Sequence, residues 1–163
     1  NWGNELAKFK PELTYYAYHV PNRNLDEAKQ HHLILSTYAT VRNDIEKLKE
    51  EDFYYIVLDE SQNIKNSTTQ TTKAVLMLRS EQRLALSGTP VENNLGELYS
   101  LFRFLNPSMF GSPEDFNGQY ALPIQRDGNK DALQELRKKI YPFILRRIKK
   151  DVLKDLPDKI EQT

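Results

Sequence analysis

Tyr54-Tyr55-Ile56-Val57-Leu58-Asp59-Glu60 is an unbroken apolar run that stops on two adjacent carboxylates. Such a run, bounded by polar residues, suits a strand buried on both faces, so the carboxylates lie where that strand leaves its sheet. Two further runs end alike. His32-Leu33-Ile34-Leu35 passes into Ser36-Thr37-Tyr38, and Arg83-Leu84-Ala85-Leu86 passes into Ser87-Gly88-Thr89-Pro90. Helical patterns separate the runs, which implies parallel strands joined by crossovers and an α/β fold. In open α/β sheets the ligand crevice lies beyond the carboxyl ends of the strands. Thr37, Asp59, Glu60 and Ser87 are therefore expected to gather at one edge.

Working outward, residues 15–20 read as a strand and residues 24–30 as a short polar helix opened by Asn22 or Asn24. Thr40 is expected to cap a helix that places Val41, Ile45 and Leu48 on one face. Ser67 and Gln70 match a capping box ahead of Thr71, Ala74, Val75 and Leu78 at helical spacing. Asn94 with Glu97 caps another helix, with a stripe of Leu95, Leu98, Phe102 and Leu105, and Asn106-Pro107 stops it. From Gly111 the texture changes: Gly and Pro recur and no β-branched run is long enough for a strand. A lobe over residues 1–110 and a helical subdomain over residues 111–163 are expected. In the latter, Leu133, Leu136 and Ile140 mark one helix, and residues 143–153 a second, basic segment. At the other end, Trp2, Leu6, Phe9 and Leu13 have helical spacing with no capping residue ahead, which reads as a cut piece of a longer chain.

The 163 residues are 39% hydrophobic and 28% charged, ordinary for a soluble globular protein, and no apolar stretch approaches the ~20 residues of a membrane span. There is no cysteine, which excludes disulfides and thiolate metal sites and, with no signal peptide ahead of Asn1, favours a reducing, cytoplasmic setting. Net charge is zero, yet residues 137–150 hold seven basic residues and no acidic one. Such a run is a solvated helix face in most proteins and a binding surface in some. His31 and His32 have no third ligand at metal spacing and read as solvated. Tyr15, Tyr16 and Tyr18 alternate as packing residues do, although aromatic rings can also stack on bases.

An Asp at a strand end can hold a magnesium ion through its water shell, and a neighbouring Glu can orient and deprotonate the water that attacks a phosphate. Taken alone, an acidic pair is common in loops, and Ser87-Gly88-Thr89-Pro90 alone reads equally as a plain turn. Side by side, the turn can sense the phosphate state and pass it on.

Together these residues resemble a known family. Leu58-Asp59-Glu60-Ser61-Gln62-Asn63-Ile64-Lys65-Asn66 and Leu84-Ala85-Leu86-Ser87-Gly88-Thr89-Pro90-Val91-Glu92-Asn93 are similar to motifs II and III of the Swi/Snf family of helicase-like ATPases. Asn1-Trp2 with Asn4-Glu5-Leu6 resembles the segment after motif Ia, and Ser36-Thr37-Tyr38 with Val41-Arg42-Asn43-Asp44 resembles motif Ib. Pro142-Phe143-Ile144-Leu145-Arg146-Arg147 is similar to a segment leading into the family's helical protrusion. The resemblance implies the later part of a first RecA-like lobe, of the P-loop NTPase type, with a parallel sheet flanked by helices and a helical C-terminal protrusion. It implies ATP and Mg2+ as cofactors of the intact protein. It also implies double-stranded DNA and a second RecA-like lobe as partners, and a protein bound to that DNA as a further target. Asp59 would hold magnesium, Glu60 would activate water, and Gln62 would link the nucleotide site to motif III. Ser87, Gly88 and Thr89 would couple hydrolysis to DNA. Thr37, Tyr38, Lys65 and Asn66 would lie near the phosphates of the tracked strand, and Arg146 and Arg147 would brace the lobes or the protrusion. Ser61 and Gln62 depart from the residues commonest in the box, without removing a carboxylate. A bacterial or archaeal nucleoid is the expected location.

A phosphate cradle needs G-x-x-x-x-G-K-[ST], and none of the glycines (3, 88, 96, 111, 118, 128) begins or ends one. The Walker A loop is absent from this chain. Two rival readings follow: a non-enzymatic DNA- or protein-binding module that keeps the fold, and a RecA-type ATPase acting on protein or small molecules.

Overall fold

The computed structural model describes residues 2–88 and 94–147. Its strands form two parallel pairs. β1 (Tyr15–Ala17) lies beside β2 (Leu33–Leu35) in the register Tyr15↔Leu33. β3 (Asp52–Leu58) lies beside β4 (Arg79–Ala85), from Asp52↔Arg79 to Leu58↔Ala85. Around them run α1 (Trp2–Phe9), α2 (Leu25–Ala28), α3 (Tyr38–Asn43), α4 (Ile45–Leu48), α5 (Gln70–Met77), α6 (Leu95–Leu105) and α7 (Pro113–Phe116). A parallel neighbour cannot be reached by a hairpin, so a 3-10 turn (Ser61–Ile64) and α5 carry the chain from β3 to β4.

The expectation of one sheet with three aligned ends is corrected here: β2 pairs with β1 and not with β3. Side-chain packing joins the pairs instead. Tyr18, Ala28, Leu48 and Leu78 form a buried cluster on which Ile34 of β2 and Phe53 and Ile56 of β3 all pack. Tyr18 ends β1 earlier than residue 20 by turning inward, where its hydroxyl donates to Asp44 Oδ2 at 2.9 Å. A phenol can be buried because that hydroxyl has an acceptor. Arg23 closes on the same carboxylate with Nε at 2.6 Å from Oδ2 and Nη2 at 2.8 Å from Oδ1. Asp44 is thereby fixed at the break between α3 and α4. A second cluster, Leu58, Ile64, Val75 and Phe104, anchors the end of β3 to α5 and α6. Burying a ring such as Phe104 stabilises by about 1.5–3 kcal/mol.

Burial on both faces is also corrected for β3 and β4. Tyr55, Val57 and Leu84 share a face by alternation and register and remain 54%, 46% and 45% exposed. Ile56, Leu58 and Ala85 face the packed side. β4 starts at Arg79, well before the apolar residues that marked it, because its first half, with Arg79, Glu81 and Gln82 exposed, needs no apolar side chain.

Two caps differ from expectation. Thr37, not Thr40, caps α3, accepting from Thr40 N at 3.1 Å. Thr69, not Ser67, caps α5, accepting from Thr72 N at 3.2 Å. Asn24 and Asn94 cap α2 and α6, each accepting from two backbone N–H groups.

The chain divides into two compact units, Asn1–Phe116 and Asn117–Thr163. In the second, a π-helical turn (Asn117–Ala121) leads into α8 (Leu122–Asp127) and α9 (Lys130–Ile140), and Tyr141–Phe143 forms a 3-10 turn. Gly128, at φ 60°, ends α8 in the left-handed conformation that glycine adopts without strain. Tyr120 is buried and donates to Glu135 Oε1 at 2.8 Å. Burial, reinforced by that carboxylate, pushes its phenol up to about 12. Residues 144–147 are neither helix nor strand, and the rest of the expected basic segment, 148–153, lies outside the described residues. Among the described residues no helix is long and apolar enough to cross a membrane.

Candidate functional site

The site is built where β3 and β4 end. Leu86 N donates to Leu58 O at 2.8 Å, and Ser61 N donates to Leu86 O at 2.8 Å, so the two strand ends are tied after the ladder stops. Between those rungs the chain must reverse within two residues. Glu60 makes the reversal at φ 47°, ψ 53°, the one non-glycine in the left-handed region among the described residues. Holding such a residue there costs about 1–3 kcal/mol. Ser100 donates from its hydroxyl to Ile64 O at 2.5 Å, which holds the turn against α6, and Asn63 Nδ2 donates to Glu60 O at 2.8 Å within the turn.

The carboxylates diverge, as neighbours on a turn do. Asp59 Oδ1 accepts from Glu60 N at 2.9 Å, Oδ2 accepts from Trp2 Nε1 at 2.8 Å, and its backbone carbonyl accepts from the Tyr38 hydroxyl at 2.7 Å. Glu60 Oε2 accepts from Gln62 Nε2 at 2.5 Å, while Gln62 Oε1 accepts from Ser87 Oγ at 3.2 Å. Glu60, Gln62 and Ser87 therefore form a continuous hydrogen-bonded line from one strand end to the other. Burial first, and then the negative charges of Asp59 and Glu60, push the Tyr38 phenol up to about 12. It remains a donor at neutral pH.

Among the described residues no three His, Cys, Asp or Glu side chains cluster to hold a metal ion. A hard cation here would be held by Asp59 together with water and a ligand's phosphate oxygens, which is the way magnesium is commonly bound. The donor set fits magnesium.

Thr37 commits its hydroxyl to capping α3 and to Thr40 Oγ1. Lys65 Nζ lies 3.8 Å from Glu97 Oε1 on an exposed surface, a pairing weak enough to exchange for another anion. Asn66 Oδ1 accepts from the backbone and hydroxyl of Thr68, shaping the turn before α5. Gly88 has no described atom within 4 Å of where a Cβ would stand, and Thr89 lies outside the described residues. Arg146 and Arg147 are exposed in the second unit. A cavity of about 490 Å³, lined in part by Arg83, Arg103 and Tyr99, lies on the first unit. Arg83 donates there to Phe104 O and Leu78 O, both at 2.8 Å, so its guanidinium ties α6 to the start of β4. Sequence reasoning missed the Trp2 contact, for which helical spacing carries no signal.

The family model described as "SNF2-related domain" matches residues 1–163. The TATA-binding protein-associated factor mot1 of Schizosaccharomyces pombe is 40% identical over 177 residues, covering 99% of this chain and 9% of that protein. The putative ATP-dependent helicase/translocase YwqA of Bacillus subtilis is 38% identical, covering 99% of this chain and 18% of that protein. The solved structure of the Sulfolobus solfataricus SWI2/SNF2 ATPase core in complex with dsDNA superposes with a TM-score of 0.87 at 45% identity, over 99% of this chain and 34% of that one. The same organism's SWI2/SNF2 ATPase core domain gives 0.78 at 44%. The chain thus spans under a fifth of these curated relatives and about a third of the solved cores. The expected fold class, α/β with parallel strands flanked by helices as part of a RecA-like lobe, is borne out. With its full length matched, this chain belongs to the SNF2-related domain family.

Proposed function

We propose that the intact protein is an ATP hydrolase that moves along double-stranded DNA, with residues 1–110 as the later part of its first ATPase lobe and residues 111–163 as the helical protrusion leading toward a second lobe. The line from Glu60 through Gln62 to Ser87 carries this reading. It puts a candidate water-activating carboxylate in direct hydrogen-bonded register with the turn after β4. Bound magnesium would neutralise charge on the transferred phosphoryl group. Asp59 would hold that ion through an oxygen lone pair. Glu60 Oε2 is taken by Gln62, so Oε1 is the atom that would accept the proton of the attacking water. A change at Glu60 then pulls on Gln62 and on Ser87, which is a physical route for coupling hydrolysis to DNA contact. Thr37, Tyr38, Lys65 and Asn66 would flank the phosphates, contacts that position a duplex without reading its sequence. Such a motor works where the chromosome is, in keeping with a cytoplasmic, nucleoid-associated location. A DNA-bound protein is a further target in this reading.

The test is ATP turnover by the intact gene product with and without duplex DNA. Turnover stimulated by duplex is the expected result, with negligible turnover by residues 1–163 alone. No turnover under either condition would favour a binding module that keeps the fold without the chemistry. Turnover indifferent to DNA would favour a RecA-type ATPase with another substrate.

A further inference from the structure

Trp2 reaches a residue 57 positions away and donates its indole N–H to Asp59 Oδ2. It is the sole tryptophan of the chain and is 47% exposed, so the bond is made at a surface and is not a by-product of core packing. The placement of α1 makes it achievable. A Cβ at Gly3 would stand 2.6 Å from the Tyr15 hydroxyl oxygen, so the first turn of α1 sits directly against the Tyr15 side chain. With Glu60 N on Oδ1 and the indole on Oδ2, both oxygens of Asp59 are oriented from opposite sides.

We propose that Trp2 is a positioning residue for the divalent cation held by Asp59, fixing the plane of that carboxylate from α1. The inference rests on the functional reading given above. An indole N–H is a donor only and cannot itself ligate a cation. A carboxylate oxygen offers about two lone pairs, so each Asp59 oxygen keeps one for the cation's water shell while the other holds a protein donor. Removing such a supporting donor typically costs 10–100-fold in metal affinity or activity. Asp59 would also be coupled by this bond to the placement of α1, so cation affinity depends on a helix distant in sequence.

Trp2→Phe keeps a ring in place and removes the N–H. In the intact gene product, the free Mg2+ that gives half-maximal ATP hydrolysis is expected to rise about tenfold. The rate at saturating Mg2+ should fall by less than about twofold, since an indirect donor supports the cation and not the chemistry. An unchanged Mg2+ dependence overturns the proposal. A second readout needs no turnover. With 5-fluorotryptophan incorporated, the resonance lost in Trp2→Phe belongs to Trp2. Asp59→Ala is expected to move it, and magnesium chloride is expected to move it in the unsubstituted protein only. A resonance indifferent to Asp59→Ala overturns the contact, and one indifferent to magnesium overturns its role. Absence of any ATP turnover by the unsubstituted protein would defeat the functional reading while leaving this spectroscopic test in force.

Discussion

Asp44 accepts from Tyr18 and from two nitrogens of Arg23, and the hydrogen-bonded Arg23 guanidinium holds its carboxyl below the usual carboxylate range. A carboxyl whose pKa is depressed on folding stabilises the fold above its unfolded value, near 3.9, and loses that contribution as pH falls through the folded value. Asp44→Asn should therefore cost about 1.5–3 kcal/mol at pH 7, the usual worth of hydrogen bonds to a charged group. Urea unfolding at pH 7 and pH 3 checks this, and the gap between variant and parent should shrink at the lower pH. Asp59, Glu60 and Ser87 were legible because each follows an apolar run, and strand ends in an α/β fold share an edge. Two facts at this scale were not legible. Glu60 adopts a left-handed backbone that its residue type does not announce. Trp2 meets Asp59 across 57 positions of sequence, with α1 seated against the Tyr15 side chain at Gly3.

At the scale of elements, α5 and α6 follow from the spacing of their apolar residues, and Asn94 caps α6 as its place before Leu95 implies. The caps of α3 and α5 were misread for a common reason. Each start holds more than one hydroxyl side chain, and only the backbone decides which one meets a free N–H. Thr69 stands at extended φ and ψ and reaches Thr72 N, whereas Ser67 lies two residues too early. Thr69→Ala should therefore destabilise the fold by about 1 kcal/mol, and Ser67→Ala should stay within about 0.5 kcal/mol of the parent. Thermal unfolding of both variants checks the assignment, and equal losses would contradict it. Strand lengths were misjudged where solvent, not the core, faces the side chains. The polar residues Arg79, Glu81 and Gln82 carry no apolar signal, yet they belong to β4.

For the molecule as a whole, parallel strand order was readable from runs separated by helices, but the division into two pairs was not. Ile34, Phe53 and Ile56 share one apolar cluster, so packing holds β2 near β3 without a backbone ladder. Periodicity cannot separate those two ways of being adjacent. The half-exposed face of Tyr55, Val57 and Leu84 belongs to the same scale, since it forms only when β3 and β4 pair in register. The proposed function joins these levels: Glu60 at the end of β3 would perform the chemistry, and the turn after β4 would feel it through Gln62. Glu60→Gln in the intact gene product tests this most directly, by measuring ATP binding and duplex-stimulated ATP hydrolysis on one preparation. The expected result is binding within about twofold of the parent with hydrolysis lowered at least ~100-fold, the usual size of a lost general base. Hydrolysis at the parental rate would contradict the claim.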